Sequence, residues 1–149
     1  MKVTIDEVVK DYPAGITYEE LAGEYQEQYQ GLIALVCVNG KIRELMKKLD
    51  RDCTLRFFTL QDDIGHKTYV RTATMLLMKA IRDVCPDTLK KCSVEYTIGH
   101  GYYVRPEDGV TVSAQDVEKI RQRMHELVQA KQKIHKRSYP VADAIERFK

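Results

Sequence analysis

The sequence predicts an α+β chain in two consecutive parts, on three observations. Up to residue 62, short runs of alternating or continuous apolar residues are separated by turn signals, with one helix among them. From Val70 to Val84, apolar residues recur at helical spacing until Pro86 stops them. After a pair of short strands around Gly99 and Gly101, a second helical stripe runs from Val117 to Val128.

In the first part, Lys2 to Ile5 reads as a strand, with Val8 to Tyr12 as its hairpin partner and Pro13 and Gly15 marking the next turn. Thr17 and Glu20 have the spacing of a capping box, in which each side chain satisfies an orphan N–H of a helix start. Leu21, Ala22, Tyr25 and Tyr29 give that helix its apolar face, and Gly31 is placed to close it at C′. Leu32 to Val38 is a nearly continuous apolar run, expected of an interior strand. Asn39-Gly40 is a hairpin signal because both residues tolerate φ > 0, and Lys41 to Arg43 returns as the partner strand. A helical turn is expected over Leu45 to Leu49 and a strand over Thr54 to Thr59. Strand, strand, helix, strand, short strand, strand is the order of a ubiquitin-like β-grasp.

In the second part, Val70, Ala73, Leu76, Leu77, Ala80, Ile81 and Val84 line one face of a long helix, with Arg71, Met75, Met78 and Arg82 opposite. Ser93 to Ile98 alternates as a strand, placing Val94, Tyr96 and Ile98 on one face. Gly99 and Gly101 flank His100 and turn the chain into Tyr102-Tyr103-Val104. Ser113 offers an N-cap to the next helix, whose stripe is Val117, Ile120, Met124, Leu127 and Val128. The other face of that helix carries Lys119, Arg121, Arg123 and Lys131, expected to be a solvated face before an RNA-contacting one.

Composition excludes several classes. With 149 residues, 44% hydrophobic and 31% charged, the chain has the material for one good core or two small ones. No apolar run approaches the roughly 20 residues of a membrane span, and Met1 to Lys10 has no signal-peptide pattern, so the expectation is a cytoplasmic protein without a membrane partner. Cys37, Cys53, Cys85 and Cys92 are widely spaced, and His66, His100, His125 and His135 show no ligand spacing, so no metal site is expected. Residues 1–62 carry 8 basic and 11 acidic side chains, residues 113–149 carry 9 and 5. That imbalance permits a nucleic-acid partner at the C-terminal end.

These patterns resemble a known pair of modules. Gly15-Ile16-Thr17, Leu21-Ala22, Val38-Asn39-Gly40-Lys41 and Leu45 are similar to a TGS domain. The block from Gly65 to Arg105 is similar to the second additional domain of threonyl- and alanyl-tRNA synthetases, whose zinc-dependent form edits mischarged tRNA. That family opens the helix with His-Ser-x-x-His; here the opening is Arg71-Thr72-Ala73-Thr74-Met75. Its Tyr-Pro-like helix end is Cys85-Pro86, and its Gly-Phe-Tyr-Tyr strand is Gly101-Tyr102-Tyr103. The two metal-site histidines thus fall on Arg71 and Met75, neither of which ligates zinc. A basic-ended strand at Lys136-Arg137 and an Ala-Ile-x-x-Phe helix at Ala144 to Phe148 extend the likeness to the chain's end. The implied division is a TGS-like domain over 1–62 and a truncated editing-like domain over 63–149, the chain being an N-terminal fragment of a larger protein.

Two parents carry this order of modules. In threonyl-tRNA synthetase the histidine motif is normally present. Bacterial uridine kinase-like nucleoside kinases lack it and enter the helix with Tyr-x-Arg-Ser/Thr, as Tyr69-Val70-Arg71-Thr72 does here; Val94-Glu95-Tyr96-Thr97 agrees with them too. The resemblance therefore favours a kinase parent, with this region as its non-catalytic binding or regulatory module, covalently continuous with a catalytic domain downstream. ATP and Mg would belong to that domain. A P-loop needs Gly-x4-Gly-Lys-Ser/Thr to cradle phosphates, and Gly40-Lys41 is preceded by Leu35 and followed by Ile42. The alternatives are an RNA-binding, degenerate editing region of a synthetase and a structural module that self-associates.

The candidate ligand residues are Arg71, Met75, His100, Tyr102 and Tyr103, with Asn39, Gly40 and Lys41 at the hairpin tip. A guanidinium at Arg71 suits bidentate recognition of phosphate or carboxylate, as in a nucleotide or RNA ligand. Its plainer fate is an ion pair with Asp83 or Glu95. Tyr102 and Tyr103 alternate sides of their strand, so one is expected in the core and the other on a cleft. Met75 and Met78 suit packing.

Overall fold

The computed structural model describes residues 1–87, 92–99, 101–132 and 134–148. The chain divides into two compact units, Met1–Met75 and Leu76–Lys149, the division falling inside a continuous helix.

The first unit is a five-stranded mixed sheet packed on one helix. Strands β1 (Lys2–Ile5), β2 (Val8–Asp11), β3 (Ile33–Val38), β4 (Lys41–Arg43) and β5 (Cys53–Thr59) stand in the order β2-β1-β5-β3-β4. Only β1 and β5 run parallel, with Val3, Thr4 and Ile5 opposite Cys53, Thr54 and Leu55. This is the β-grasp expected from the order of elements. The strict alternation of β5 sends Cys53, Leu55, Phe57 and Thr59 inward. Cys53, Leu55 and Phe57 meet Val3, Ile5, Ile33 and Val36 from the sheet, and Leu21, Ala22 and Tyr25 from helix α1 (Tyr18–Tyr25). The Val, Leu, Ile and Phe side chains among them each contribute about 1.5–3 kcal/mol when fully buried.

Local chemistry fixes the ends of α1. Thr17 Oγ1 accepts from the Glu20 N–H at 3.2 Å, and Glu20 Oε2 accepts from the Thr17 N–H at 2.8 Å, completing the capping box. The helix closes earlier than Gly31, passing at Tyr25 into a single 3₁₀ turn over Gln26–Gln28. Gly31 instead turns the chain into β3 at φ +91°, held by Gln26, whose Nε2 donates to Gly31 O and whose Oε1 accepts from the Ile33 N–H. A side chain that bonds both edges of the loop takes over the role expected of a helix C-cap. Leu45 to Leu49 likewise forms no helix. Its carbonyls are taken by the α1 entry segment, with Glu19 N–H on Leu45 O, Tyr18 N–H on Lys47 O and Gly15 N–H on Leu49 O. Those long-range bonds outcompete a local helical turn.

Helix α2 (Asp63–Val84) begins where β5 ends. The Asp62 carboxylate accepts from the Thr59 N–H at 2.7 Å and from Thr59 Oγ1 at 3.0 Å, folding the strand end back on the helix start. Gly65 sits against that corner. A Cβ there would lie 1.9 Å from Thr59 O, so only glycine fits.

In the second unit the latter half of α2 packs on α3 (Ala114–Gln129), through Ala80, Ile81, Cys85, Ile120 and Leu127. Ser113 and Asp116 form a second capping box at the start of α3. Strands β6 (Cys92–Ile98) and β7 (Gly101–Pro106) form an antiparallel hairpin, from which Cys92 and Val104 join the same cluster. Helix α4 (Val141–Phe148) follows a stretch, 134–140, in which no helix or strand is described. The basic-ended strand expected at Lys136-Arg137 is therefore not formed. A strand needs a neighbour to satisfy its N–H and C=O groups, and residues 134–140 are exposed throughout.

Candidate functional site

Arg71 and Met75 lie four residues apart on α2, hence on one face of the helix, and both are exposed. Met75 leaves 52% of its surface to solvent, too much for the packing role its residue type suggests. Threonine hydroxyls turn inward around them: Thr68, Thr72 and Thr74 donate to the carbonyls of Ile64, Thr68 and Val70. Those bonds are the i−4 back-bonding that threonine makes within a helix, and they spend the hydroxyls locally. The face therefore offers a guanidinium and a thioether, suited to an anion and an apolar group and not to zinc.

The two carboxylates expected to neutralise Arg71 are engaged elsewhere. Asp83 pairs with Lys79 and with Arg123 Nε at 3.0 Å. Hydrogen bonding by Lys79 first, then by Arg123, holds the Asp83 carboxyl below its ordinary range. Glu95 accepts from Ser93 Oγ at 2.6 Å and pairs with Arg105 at 3.4 Å.

The hairpin β6–β7 differs from its expectation in one respect that changes its chemistry. Val94 pairs with Val104, yet Tyr96 pairs with Tyr103, so Glu95 is an extra residue. Such a β-bulge puts two residues opposite one and shifts every side chain beyond it. Val104 packs against the core cluster, while the bulge carries Tyr96 off the face it would share with Val94 in a regular strand. Tyr96 and Tyr103 stack with ring centroids 5.1 Å apart and an interplanar angle of 26°. Neither Tyr102 nor Tyr103 is a core residue: they are 49% and 39% exposed, beside Tyr96 at 58% and Ile98 at 61%. A two-stranded hairpin has no second layer at its tip to bury them. His100 lies outside the described residues.

At the other candidate, the tip of β3–β4, Asn39 and Gly40 have φ of 48° and 79°. Asn39 is anchored twice to β5: its N–H donates to Thr54 O at 3.0 Å, and its Oδ1 accepts from the Thr54 N–H at 2.8 Å. Asn39 and Gly40 thus shape the turn, and Lys41 is left in solvent.

The charged face of α3 is largely spoken for. Arg121 bonds Glu118 at 2.6 Å, and Arg123 bonds both Asp83 and Glu126 at 3.0 Å. The Asp83–Arg123 pair spans 40 residues of sequence, which is why no local pattern reveals it. Among the described residues, no group of three or more His, Cys, Asp or Glu could hold a metal ion. Nor is any described helix long and apolar enough to cross a membrane.

Compared with models of known protein families, the chain matches none. It is similar along nearly its whole length to curated threonine–tRNA ligases. With that of Acetivibrio thermocellus it is 29% identical over 97% of this chain, and with that of Porphyromonas gingivalis 27% identical over 99%. With that of Finegoldia magna it is 31% identical over 75% of this chain. The chain spans only 23%, 23% and 17% of those three ligases. The expected nucleoside kinase parent gains no support from them.

Proposed function

We propose that this chain is a TGS-like domain (1–62) and an editing-like domain (63–149) of a threonyl-tRNA-ligase-related protein, and that it binds RNA without catalysing hydrolysis. A covalently continuous catalytic domain and a cytoplasmic setting go with that reading. What carries it is the pair Arg71 and Met75 on one exposed face of α2, in a chain similar to the ligases over almost all its length. The resemblance assigns the editing enzymes' zinc histidines to those two positions. An exposed guanidinium in place of an imidazole keeps affinity for phosphate while removing the metal-bound water that hydrolysis needs. No cofactor is required for binding of this kind.

The test is fluorescence anisotropy with a tRNA acceptor-stem minihelix, repeated from about 50 to about 200 mM salt, because phosphate contacts release counterions and weaken steeply over that range. Affinity should fall across the series, and mischarged tRNA should not be deacylated faster with zinc than without it. Absent or salt-indifferent binding refutes the proposal.

A second reading keeps the nucleoside kinase parent, on Tyr69-Val70-Arg71-Thr72 and Val94-Glu95-Tyr96-Thr97. Sequencing the transcript past Lys149 separates the two. A downstream Gly-x4-Gly-Lys-Ser/Thr supports the kinase; Cys-x-x-x-His followed by synthetase motifs supports the ligase.

A further inference from the structure

Several guanidinium groups of this chain are already engaged. Arg51 pairs with Asp50, Arg105 with Glu95, Arg121 with Glu118, and Arg123 with Asp83 and Glu126, while Arg56 lies over the Phe58 ring at 5.1 Å. The first half of α2 is different. Lys67 and Arg71 are both exposed there, and among the described residues neither side chain makes an ion pair or a hydrogen bond. Asp63, one turn before Lys67, forms no ion pair with it. Four residues apart, Lys67 and Arg71 share a helix face, with Cβ atoms about 5–6 Å from one another. Like charges at that spacing repel and weaken a helix. A local conflict of this kind, with nothing gained in the free chain, is expected where a ligand resolves it.

We propose that Lys67 and Arg71 grip one phosphate group between them, the ammonium as a point charge and the guanidinium through paired N–H donors, with Met75 against the sugar that carries it. The inference rests on the reading of α2 as the binding face, and it adds Lys67 to that site. A phosphate presents oxygens in several directions, so two cations can bond it at once. A carboxylate has two oxygens in one plane, and a bidentate guanidinium fills both. An arginine already bonded to carboxylates must break those bonds to reach a phosphate, whereas Lys67 and Arg71 have none to break. Thr68 and Thr72 add no donor, because their hydroxyls donate to Ile64 O and Thr68 O. Met75 lies one further turn along the same face and offers apolar surface beside the two charges. An RNA backbone and a free nucleotide both carry the group that this grip recognises.

The experiment compares the full chain with K67Q/R71Q, K67R/R71K and R121Q/R123Q, by anisotropy with the acceptor-stem minihelix across the salt series and with fluorescently labelled ATP. K67Q/R71Q should lose about 1.4–1.8 units of the slope of log K against log salt for the minihelix, at about 0.7–0.9 per contact removed. K67R/R71K keeps both charges and should keep the wild-type slope. R121Q/R123Q should change it by less than about half a unit. Urea midpoints report on the fold: K67Q/R71Q should be no less stable than wild type, because the repulsion between the two cations is gone. A loss of stability in its place would make the pair structural and overturn the assignment. A wild-type slope in K67Q/R71Q, or an equal loss in R121Q/R123Q, overturns the grip while leaving RNA binding in place. Labelled ATP that wild type binds and K67Q/R71Q does not, with no minihelix binding at all, upholds the grip and overturns the RNA reading. Binding of neither probe overturns both.

Discussion

Replacing Gly65 with alanine sets two well-characterised effects against each other, and the structure decides the sign. In a helix interior, alanine is favoured over glycine by roughly 0.5–1 kcal/mol, because glycine loses more backbone freedom on folding. At Gly65 the added Cβ would stand 1.9 Å from Thr59 O, 2.7 Å from Thr59 C and 3.3 Å from Leu60 N. Relief requires moving backbone, not rotating a side chain. That backbone is held by Asp62 on the Thr59 N–H and hydroxyl, by Leu60 N–H on Leu32 O, and by the pairing of Thr59 with Ile33. Overpacking of this kind costs about 1–3 kcal/mol and more where the surroundings are rigid, so a net loss of about 2 kcal/mol is expected. Gly23 is the control: it lies in α1, is exposed, and has nothing within 4 Å of its would-be Cβ. Gly23→Ala should therefore stabilise by about 0.5–1 kcal/mol. The chain has no tryptophan, so the assay is urea unfolding followed by far-ultraviolet circular dichroism and tyrosine fluorescence. Opposite signs are expected for the same substitution. A Gly65→Ala protein as stable as wild type would refute the reasoning.

Substitutions at two further positions probe the tip of the hairpin and the ion-pair hub. Asn39→Ala removes the acceptor for the Thr54 N–H and leaves an alanine at φ 48°, costing about 2 kcal/mol, whereas Asn39→Gly loses the bond but not the backbone preference and costs about half as much. Equal midpoints for the two variants in urea would show that the turn is not what Asn39 supports. Asp83 titrates below its ordinary carboxyl value of 3.8 because Lys79 and Arg123 bond its charged form. A folded-state value that is depressed contributes stability above 3.8, lost as pH falls through the lowered value. Asp83→Asn should therefore leave a small deficit at neutral pH that vanishes in acid. The check is thermal unfolding at a series of pH values, and a deficit that grows on acidification would contradict the assignment.

What could be read from the sequence was local. The capping box at Thr17, the Asn39-Gly40 turn and the stop at Pro86 each depend on residues within a few positions of one another, and each forms as expected. The β-grasp strand order followed because the spacing of turns leaves few ways to pair five short strands around one helix. What was missed was non-local. Gly65 reads in sequence as an ordinary helix residue, and its necessity comes from a strand carbonyl that only the folded corner brings near. Leu45 to Leu49 has helical spacing, but its carbonyls are claimed by residues of the α1 entry. The bulge at Glu95 leaves no periodic trace, since the residues on either side of it are all compatible with a strand.

The same distinction bears on where an anion would land. In sequence, the basic residues of α3 look like a good scaffold for a phosphate contact, because a helix holds its side chains in register. The structure qualifies that through Asp83, which sits at the end of α2 and draws Arg123 to it alongside Lys79. A helix whose arginines are committed to carboxylates contributes order to the core through Ile120 and Leu127 but little field to solvent.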